Sequence, residues 1–294
     1  MITYPNVKIN LGLNILNKRE DGFHNIETVF IPFYRKYDRL ELILADDFSR
    51  TSAELFEKYT EERQIAQAIS EDGKLMITIA REEGVDWDPL KDLCARAYFL
   101  LSEDYDLPAV KIYLEKLSPV GAGLGGGSSD AAFTLKMLNE LLSLGISEEL
   151  LVNYAARLGS DCAFFIYNKP MLGRGRGEIL NEIDLENLDY GQEDVANFDY
   201  KLDVISPDNI SVSTADAYGG VKPSIPQMRI MEILVLPLEE WHKYLYNDFE
   251  LSVFLKYPEL DKIKSALYRD GAVFASMSGS GSSVFFITRC NKNK

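Results

Sequence analysis

Histidine and cysteine are scarce in this sequence, which limits the chemistry that the protein can use. Among 294 residues, the histidines are His24 and His242, and the cysteines are Cys94, Cys162 and Cys290. An odd number of cysteines without a CxxC spacing excludes a disulfide framework, and these five residues lack the spacing of a zinc motif. We therefore expect a protein of a reducing compartment, the cytoplasm.

Excess positive charge and long apolar runs are also absent. The 31 basic residues face 46 acidic ones, for a net charge of -15. Such a chain creates no broad positive field for nucleic acid or anionic membranes, so an anionic ligand needs a locally built positive site. No apolar run approaches the roughly 18 residues of a membrane helix, and MITYPNVKIN does not resemble a signal peptide. These features predict a cytoplasmic protein without nucleic-acid or membrane partners.

The apolar periodicity predicts a mixture of strands and helices. Because the two kinds of element do not alternate steadily, we expect an α+β fold with two lobes, 1–170 and 171–294, and not a doubly wound sheet. The acidic stretch 182–200 is predicted to be an exposed connection between these lobes. Predicted strands are 6–16, 26–33, 39–45, 74–80, 109–117, 232–238 and 282–288, and predicted helices are 49–69, 88–105, 128–145, 147–159 and 259–271.

A glycine-rich stretch, PVGAGLGGGSS, occupies residues 119–129 between a predicted strand and a predicted helix. Glycine lets the backbone approach a ligand closely, and a helix N-terminus adds partial positive charge. The pattern therefore predicts an anion site, most naturally for phosphate. The structural alternative is a tight linker before a capped helix, although so many ordered glycines carry an entropic cost.

Three other nucleotide motifs fit the stretch less well. A Walker A loop needs lysine where Gly127 stands, and a protein kinase needs VAIK, HRD and DFG motifs that the sequence lacks. GAGLGG satisfies GxGxxG, but a dinucleotide fold needs a strand after the helix, and 147–159 has helical spacing. A dinucleotide-dependent oxidoreductase is thus a remote alternative.

Three motifs together resemble the GHMP kinases, which are small-molecule kinases named for galactose, homoserine, mevalonate and phosphomevalonate. They are VKINLGLNI near the start, PVGAGLGGGSSDAA, and MSGSGSSVFF near the end. The resemblance implies the two-lobe GHMP-kinase fold, with ATP binding and catalysis in 1–170 and substrate binding in 171–294. It also implies ATP as phosphate donor and Mg²⁺ as its companion ion, for which the sequence offers no evident protein ligands.

Further motifs narrow the resemblance to members that act on a cytidine compound. EDGFHNIET, LGSDCAFFI and GRGRGEIL are similar to segments of the family members that phosphorylate the free tertiary 2-hydroxyl of 4-diphosphocytidyl-2-C-methyl-D-erythritol in the non-mevalonate isoprenoid route. This small molecule is therefore the implied partner. Another GHMP kinase, acting on mevalonate or a similar alcohol, and a catalytically silent nucleotide-binding module remain alternatives.

The resemblance implies a catalytic role for Asp161 and Lys8. Asp161 would take the proton from the hydroxyl, while Lys8 would keep this carboxylate ionised and the nucleophile in place. Without the resemblance, Asp161 is equally a helix N-cap, and Lys8 is an exposed strand lysine. Asn10, two residues along the same strand face, would hydrogen-bond the substrate.

The resemblance also implies where cytidine and ATP bind. Phe23 and Tyr218 would stack on the base, His24 would read its edge, and Thr214 and Phe30 would complete the pocket. The glycine-rich stretch would wrap the ATP phosphates with backbone N–H groups, with hydroxyls from its two serines and Lys116 near the adenine. The implied ATP-binding residues are Pro119, Val120, Gly121, Ala122, Gly123, Leu124, Gly125, Gly126, Gly127, Ser128 and Ser129.

Overall fold

The structure, a computed structural model, describes residues 1–192 and 198–290. It divides into two compact units, and neither is continuous in sequence. The first unit comprises Met1–Val7, Lys36–Val120 and Gly126–Asn168, and the second comprises Lys8–Arg35, Gly121–Gly125 and the residues from Lys169 onward. The chain therefore passes from one unit to the other several times before the predicted lobe boundary near 170.

Most of the predicted elements are present. The strands are β1 (Ile2–Thr3), β2 (Asn6–Lys18), β3 (His24–Tyr37), β4 (Arg39–Leu44), β5 (Ile65–Ile69), β6 (Leu75–Arg81), β7 (Val110–Lys116), β8 (Met171–Gly175), β9 (Ile179–Glu182), β10 (Leu188–Asp189), β11 (Tyr200–Ile205), β12 (Phe274–Met277) and β13 (Val284–Arg289). The helices are α1 (Ser52–Lys58), α2 (Leu93–Ser102), α3 (Gly126–Leu141), α4 (Glu148–Leu158), α5 (Cys162–Tyr167), α6 (Thr214–Gly219), α7 (Ile230–Leu234), α8 (Glu250–Lys256) and α9 (Pro258–Arg269).

The first unit is built around a five-stranded sheet in the order β1-β4-β7-β6-β5. Strand β7 pairs antiparallel with β4 and parallel with β6, and the helices α2, α3, α4 and α5 pack on one another. A small apolar cluster around Leu55 and Tyr59 joins α1 to this sheet. The arrangement places the end of β7 and the start of α3 at the two ends of the glycine-rich stretch.

The second unit contains a four-stranded sheet in the order β10-β11-β13-β12 and most of another in the order β2-β3-β8-β9. An apolar cluster in this unit joins residues of β2 and β3 to α6, α8 and α9, with Leu13, Ile15, Phe249 and Leu260 among its buried members. The same side chains that alternate along β2 in the sequence thus anchor this strand in the core.

Two predicted elements are wrong, and one interpretation needs correction. Residues 65–69 form strand β5 instead of continuing a helix, and residues 232–234 of the predicted strand 232–238 belong to helix α7. The described parts of the acidic stretch, 182–192 and 198–200, lie within the second unit and include β10, so they do not connect the two units. Residues 193–197 of that stretch lie outside the described residues. Among the helices that the structure describes, none is both long and apolar enough to cross a membrane.

Candidate functional site

Lys8 and Asn10 lie on β2 in the second unit, and both are buried, each only 3% exposed. The Lys8 ammonium donates hydrogen bonds to Asn10 Oδ1 and, at 3.0 Å, to the carbonyl oxygen of Gly123. The Lys8 backbone N–H donates to the carbonyl oxygen of Leu124 at 2.9 Å. The alternative of an exposed strand lysine is therefore wrong: the ammonium is directed into the protein, against the glycine-rich stretch.

The second glycine-rich motif forms a turn that packs beside these two side chains. Asn10 donates through its backbone N–H to Ser278 Oγ at 3.1 Å and through Nδ2 to Thr28 Oγ1 at 3.1 Å. A Cβ added at Gly279 would lie 3.1 Å from Asn10 Oδ1 and 3.4 Å from Lys8 Nζ. Glycine at position 279 thus lets the turn approach the polar ends of the Lys8 and Asn10 side chains.

Residues 121–125 of the glycine-rich stretch pack on this same turn. Gly121, Gly123 and Gly125 all have positive φ, the backbone region that glycine alone adopts without cost. The carbonyl oxygen of Gly123 accepts from Ser278 Oγ at 3.1 Å, and that of Ala122 accepts from the Ser283 N–H at 3.1 Å. Two motifs that are far apart in sequence are therefore joined by hydrogen bonds.

The hydrogen-bonded carbonyls determine the direction of the backbone donors in 121–125. In a trans peptide, the N–H points opposite to the C=O of the same unit. Because the carbonyls of residues 122, 123 and 124 are bound to Ser283, Ser278 and Lys8, the N–H groups that follow them point away from these partners. Several convergent N–H groups are what a phosphate requires.

In the first unit, helix α3 begins at Gly126, two residues earlier than the sequence predicts. Ser128 and Ser129 therefore belong to the first helical turn. Ser128 is partly exposed, whereas Ser129 is fully buried and its Oγ has no hydrogen-bond partner among the described residues. Of the two hydroxyls, that of Ser128 is accessible to a ligand, and phosphate binding by the Ser129 hydroxyl stays a prediction.

Asp161 precedes α5, at the N-cap position, and is partly exposed. Its carboxylate accepts no capping hydrogen bond from α5, a helix whose residues are all described. The next residue, Cys162, is buried, and burial raises the pKa of its thiol to about 12, against the opposing effect of a hydrogen bond with Ser128. The thiol is therefore neutral at physiological pH. Because Asp161 makes no capping hydrogen bond, helix capping does not explain why an aspartate occupies this position.

Lys116, which the resemblance places near the adenine, is buried in the first unit, and its proximity to adenine stays a prediction. Its side chain is 4% exposed and its ammonium pairs with the carboxylates of Asp38 and, at 2.6 Å, Asp130. Burial alone would lower the pKa of Lys116, but the two acidic partners outweigh burial and raise it. Lys116 is therefore a charged, internal residue of the first unit.

Two of the residues predicted to bind the base lie together in the second unit. The rings of His24 and Tyr218 are stacked, with centroids 4.9 Å apart and planes 20° from parallel. Tyr218 also makes an edge contact with Phe249 at 4.8 Å. Burial, and secondly the charge of Lys18, lower the pKa of His24, so its imidazole is neutral at pH 7 and can accept a hydrogen bond.

The other predicted base-binding residues, Phe23, Thr214 and Phe30, have surroundings different from those of the stacked His24–Tyr218 pair. Phe23 is 53% exposed, and the Arg176 guanidinium lies 5.1 Å from its ring centroid. Thr214 is exposed at the start of α6. Phe30 is buried, and a Cβ at Gly173 would come within 2.4 Å of its ring, which explains one glycine of GRGRGEIL. That segment is a hairpin of β8 and β9, so Phe30 is packed beneath it.

One residue that the sequence gave no reason to select holds the second glycine-rich turn in place. Asn247 is buried, and its Nδ2 donates to the carbonyl oxygens of Met277 at 2.7 Å and Gly279 at 2.8 Å. Its Oδ1 accepts from the Phe249 N–H at 3.0 Å. No motif surrounds Asn247, so only the structure identifies this role.

The buried lysine, the paired glycine-rich segments and the helix that begins within one of them agree with the family comparison. Residues 92–169 match the family model described as GHMP kinases N terminal domain, and residues 233–293 match that described as GHMP kinases C terminal. The chain belongs to the GHMP kinases, and its α+β fold is the fold of that family. The sequence prediction of family and fold is confirmed.

Full-length relatives within this family are similar over nearly the whole chain. The chain is 44% identical over 285 residues to the 4-diphosphocytidyl-2-C-methyl-D-erythritol kinase of Bacteroides fragilis and 45% identical to that of Bacteroides thetaiotaomicron, in each case covering 97% of this chain and 91% of the relative. A crystal structure of 4-(cytidine 5'-diphospho)-2C-methyl-D-erythritol kinase superposes with a TM-score of 0.69 at 28% identity, covering 97% of this chain and 89% of the other.

Proposed function

We propose that this protein transfers the γ-phosphate of ATP to the free 2-hydroxyl of 4-diphosphocytidyl-2-C-methyl-D-erythritol. Relatives that are 44–45% identical to this chain over nearly its whole length are named as that kinase. The observation in this molecule that carries the substrate assignment is the stacked pair of His24 and Tyr218, which combines a flat apolar surface with a neutral imidazole. A pyrimidine base needs both a stacking surface and a hydrogen-bond partner for its edge.

The chemistry that we assign to the chain is deprotonation and positioning. Asp161 accepts the proton of the 2-hydroxyl as its oxygen bonds to the γ-phosphorus, and the bond from that phosphorus to the bridging oxygen of ADP breaks. Lys8 orients the hydroxyl and favours the ionised form of the base, and Asn10 hydrogen-bonds the substrate. These roles follow the family resemblance, and the buried ammonium and amide on one strand support them.

We assign ATP to the glycine-rich stretch, where outward N–H groups and a helix N-terminus offer donors to its phosphates. Mg²⁺, when bound with the nucleotide, would supply neutralisation of phosphoryl charge. Among the described residues, no group of three or more His, Cys, Asp and Glu side chains is arranged to hold a metal ion. We therefore name no protein ligand for this ion, and Mg²⁺ commonly binds through substrate phosphates and water.

The test of the substrate is ATP turnover, followed by coupled ADP release with purified protein. The cytidine compound is compared with mevalonate, homoserine and galactose at matched concentrations. We expect turnover with the cytidine compound alone. Turnover with a different alcohol would support a kinase but exclude the cytidine compound as its substrate. No turnover with any of the four substrates would favour a nucleotide-binding module without kinase activity.

The test of the proposed base is Asp161→Asn. We expect kcat to fall by roughly 10² to 10⁴-fold, the range for losing a general base, with little change in KM for ATP. Ser160→Ala, at the exposed neighbouring position, is the matched control and should retain kcat. A wild-type kcat in the Asp161 variant would remove this residue from catalysis.

A further inference from the structure

Three buried side chains of the first unit surround the two ends of the glycine-rich stretch. Asp38, in the connection between β3 and β4, accepts hydrogen bonds from the N–H groups of Leu117 at 2.6 Å and Ser118 at 2.7 Å. It also accepts from Ser118 Oγ at 2.8 Å and from the Lys116 ammonium. One fully buried carboxylate therefore fixes the three residues that lead into the stretch.

The same lysine reaches the far end of the stretch. The Lys116 ammonium donates to Asp130 Oδ2, in α3, at 2.6 Å. Gly126, the first residue of α3, comes so close that an added Cβ would lie 2.6 Å from Ser118 Oγ. We call Asp38, Lys116 and Asp130 the loop clamp, because they tie the end of β7 to the start of α3.

The two acids of the loop clamp are not equivalent. Asp38 receives four donors, whereas Asp130 receives one, and Asp130 Oδ1 is buried without a hydrogen-bond partner among the described residues. A charged carboxylate oxygen buried without a donor costs far more than the unpartnered polar atom of a neutral acid at the same place. The hydrogen-bond pattern thus indicates an ionised Asp38 and a protonated Asp130.

The charges around Asp130 favour the same assignment. Lys116 is its cationic partner, and Asp38 and Asp92 are acidic neighbours that oppose a second negative charge. The Cys94 thiol, close enough to interact with Asp130, is fully buried and its pKa is raised well above the ordinary value by burial, so it stays neutral. Burial raises the pKa of Asp130 more than Lys116 lowers it.

We propose that Asp38 and Lys116 are positioning residues that order the glycine-rich stretch, and that Asp130 completes the loop clamp as an uncharged acid. The inference rests on the proposed function in taking that stretch as the ATP-phosphate site. One carboxylate and one ammonium leave the clamp without net charge, so it orders the backbone without adding a negative charge that would repel phosphate.

The inference is tested by comparing two isosteric variants with a control on the same strand. In Asp38→Asn, an amide replaces a carboxylate that accepts four donors, so we expect ADP to bind at least about tenfold more weakly, the equivalent of one lost hydrogen bond to a charged group. In Asp130→Asn, an uncharged group replaces an uncharged one, and we expect a loss of no more than about threefold. ADP affinity is measured by isothermal titration calorimetry.

Glu115→Gln is the matched control. Glu115 is buried on β7 and paired with Arg39 and Lys58 at 2.8 Å each, and among the described residues its carboxylate forms no hydrogen bond or ion pair with the clamp. We expect this variant to lower the melting temperature while it retains ADP affinity. Ser118→Ala, which keeps every charge and removes one donor to Asp38, replaces Asp38→Asn should the latter fail to fold, with an expected loss of a few fold.

Equal losses of ADP affinity in the Asp38 and Asp130 variants, or none in either, would overturn the proposal. Amide hydrogen exchange of residues 119–129, measured without nucleotide, tests the loop clamp independently of the proposed kinase function. If wild-type protein does not bind ADP, the proposed function fails, while faster exchange in the Asp38 variant alone still supports the clamp. Unchanged exchange in that variant overturns it.

Discussion

Replacement of Gly123 by alanine tests whether residues 121–125 must pack against the second glycine-rich turn. Gly121 and Gly123 have φ of +71° and +77°, so alanine costs about 1–2 kcal/mol at either position through the backbone alone. At Gly123 the new methyl would lie 2.1 Å from the Ser278 carbonyl oxygen and 3.0 Å from the Gly281 nitrogen, whereas at Gly121 nothing lies within 4 Å. Because the obstructing atoms are backbone, overpacking adds about 1–3 kcal/mol at Gly123 only.

The two variants therefore share one penalty and differ in the other. If the additional ~1–3 kcal/mol at Gly123 weakens ATP binding and positioning, kcat/KM for ATP should be about 5- to 150-fold lower in Gly123→Ala than in Gly121→Ala. The assay is coupled ADP release at saturating acceptor with ATP varied, and thermal denaturation shows whether each variant is folded at the assay temperature. Equal kcat/KM values in two folded variants would refute the reasoning, because the contact of the new methyl with the second glycine-rich turn would then have no effect.

Other expected outcomes concern the base-binding pair and a buried acid. Because the pKa of His24 is lowered below 6.5, KM for the cytidine compound should be constant above pH 7 and rise as the pH falls through the lowered pKa; a variant His24→Gln with the same acidic limb would exclude this histidine. Tyr218→Ala should raise that KM roughly 5- to 150-fold through the loss of about 1–3 kcal/mol of base stacking, whereas Tyr218→Phe should keep the wild-type KM. Equal KM values in the Ala and Phe variants would exclude stacking. Glu27→Gln should lower the free energy of unfolding by about 1–3 kcal/mol, because Glu27 is buried between Arg174 at 3.2 Å and Arg229 at 2.8 Å, and these arginines can turn to solvent. An unchanged denaturation midpoint would contradict the Glu27 prediction.

The sequence predicts the elements whose apolar period is long and unbroken. Strands β2, β6 and β7 and helices α3, α4 and α9 follow directly from alternation or from helical spacing. The α+β fold and the family follow from the same pattern together with the three glycine-containing motifs. These features are local, so nearby residues suffice to specify them.

The wrong predictions lie where local pattern is ambiguous. The run EILVLPL is short and apolar, which fits a strand or a buried helix equally well. Helix α7 begins before this run, and its N-cap residue Arg229 donates its backbone N–H to Glu232 at 2.7 Å. Strand β5 is half exposed and lies at the edge of its sheet beside β6, so its apolar alternation is weak.

Burial of charge is the aspect of the site that the sequence could not provide. Lys8 and Lys116 both look like ordinary strand lysines, yet one is hydrogen-bonded to a glycine carbonyl and the other to two carboxylates. Asn247 is undistinguished in sequence and is fully engaged in the structure. Each case depends on partners at least 14 positions away or on a backbone turn elsewhere, which periodicity does not encode.

The hydrogen bond from Asn10 to Ser278 also has a consequence for how the chain is made. Its two residues are 268 positions apart, and at roughly 5–20 residues per second the ribosome needs roughly 13–54 seconds to produce the second after the first. For that interval β2 has its apolar side chains but not the turn that secures it, a condition that invites non-native pairing. We therefore expect folding of the lysine-bearing strand to finish only after synthesis passes residue 278, and a nascent chain stopped earlier to depend on chaperones for its solubility.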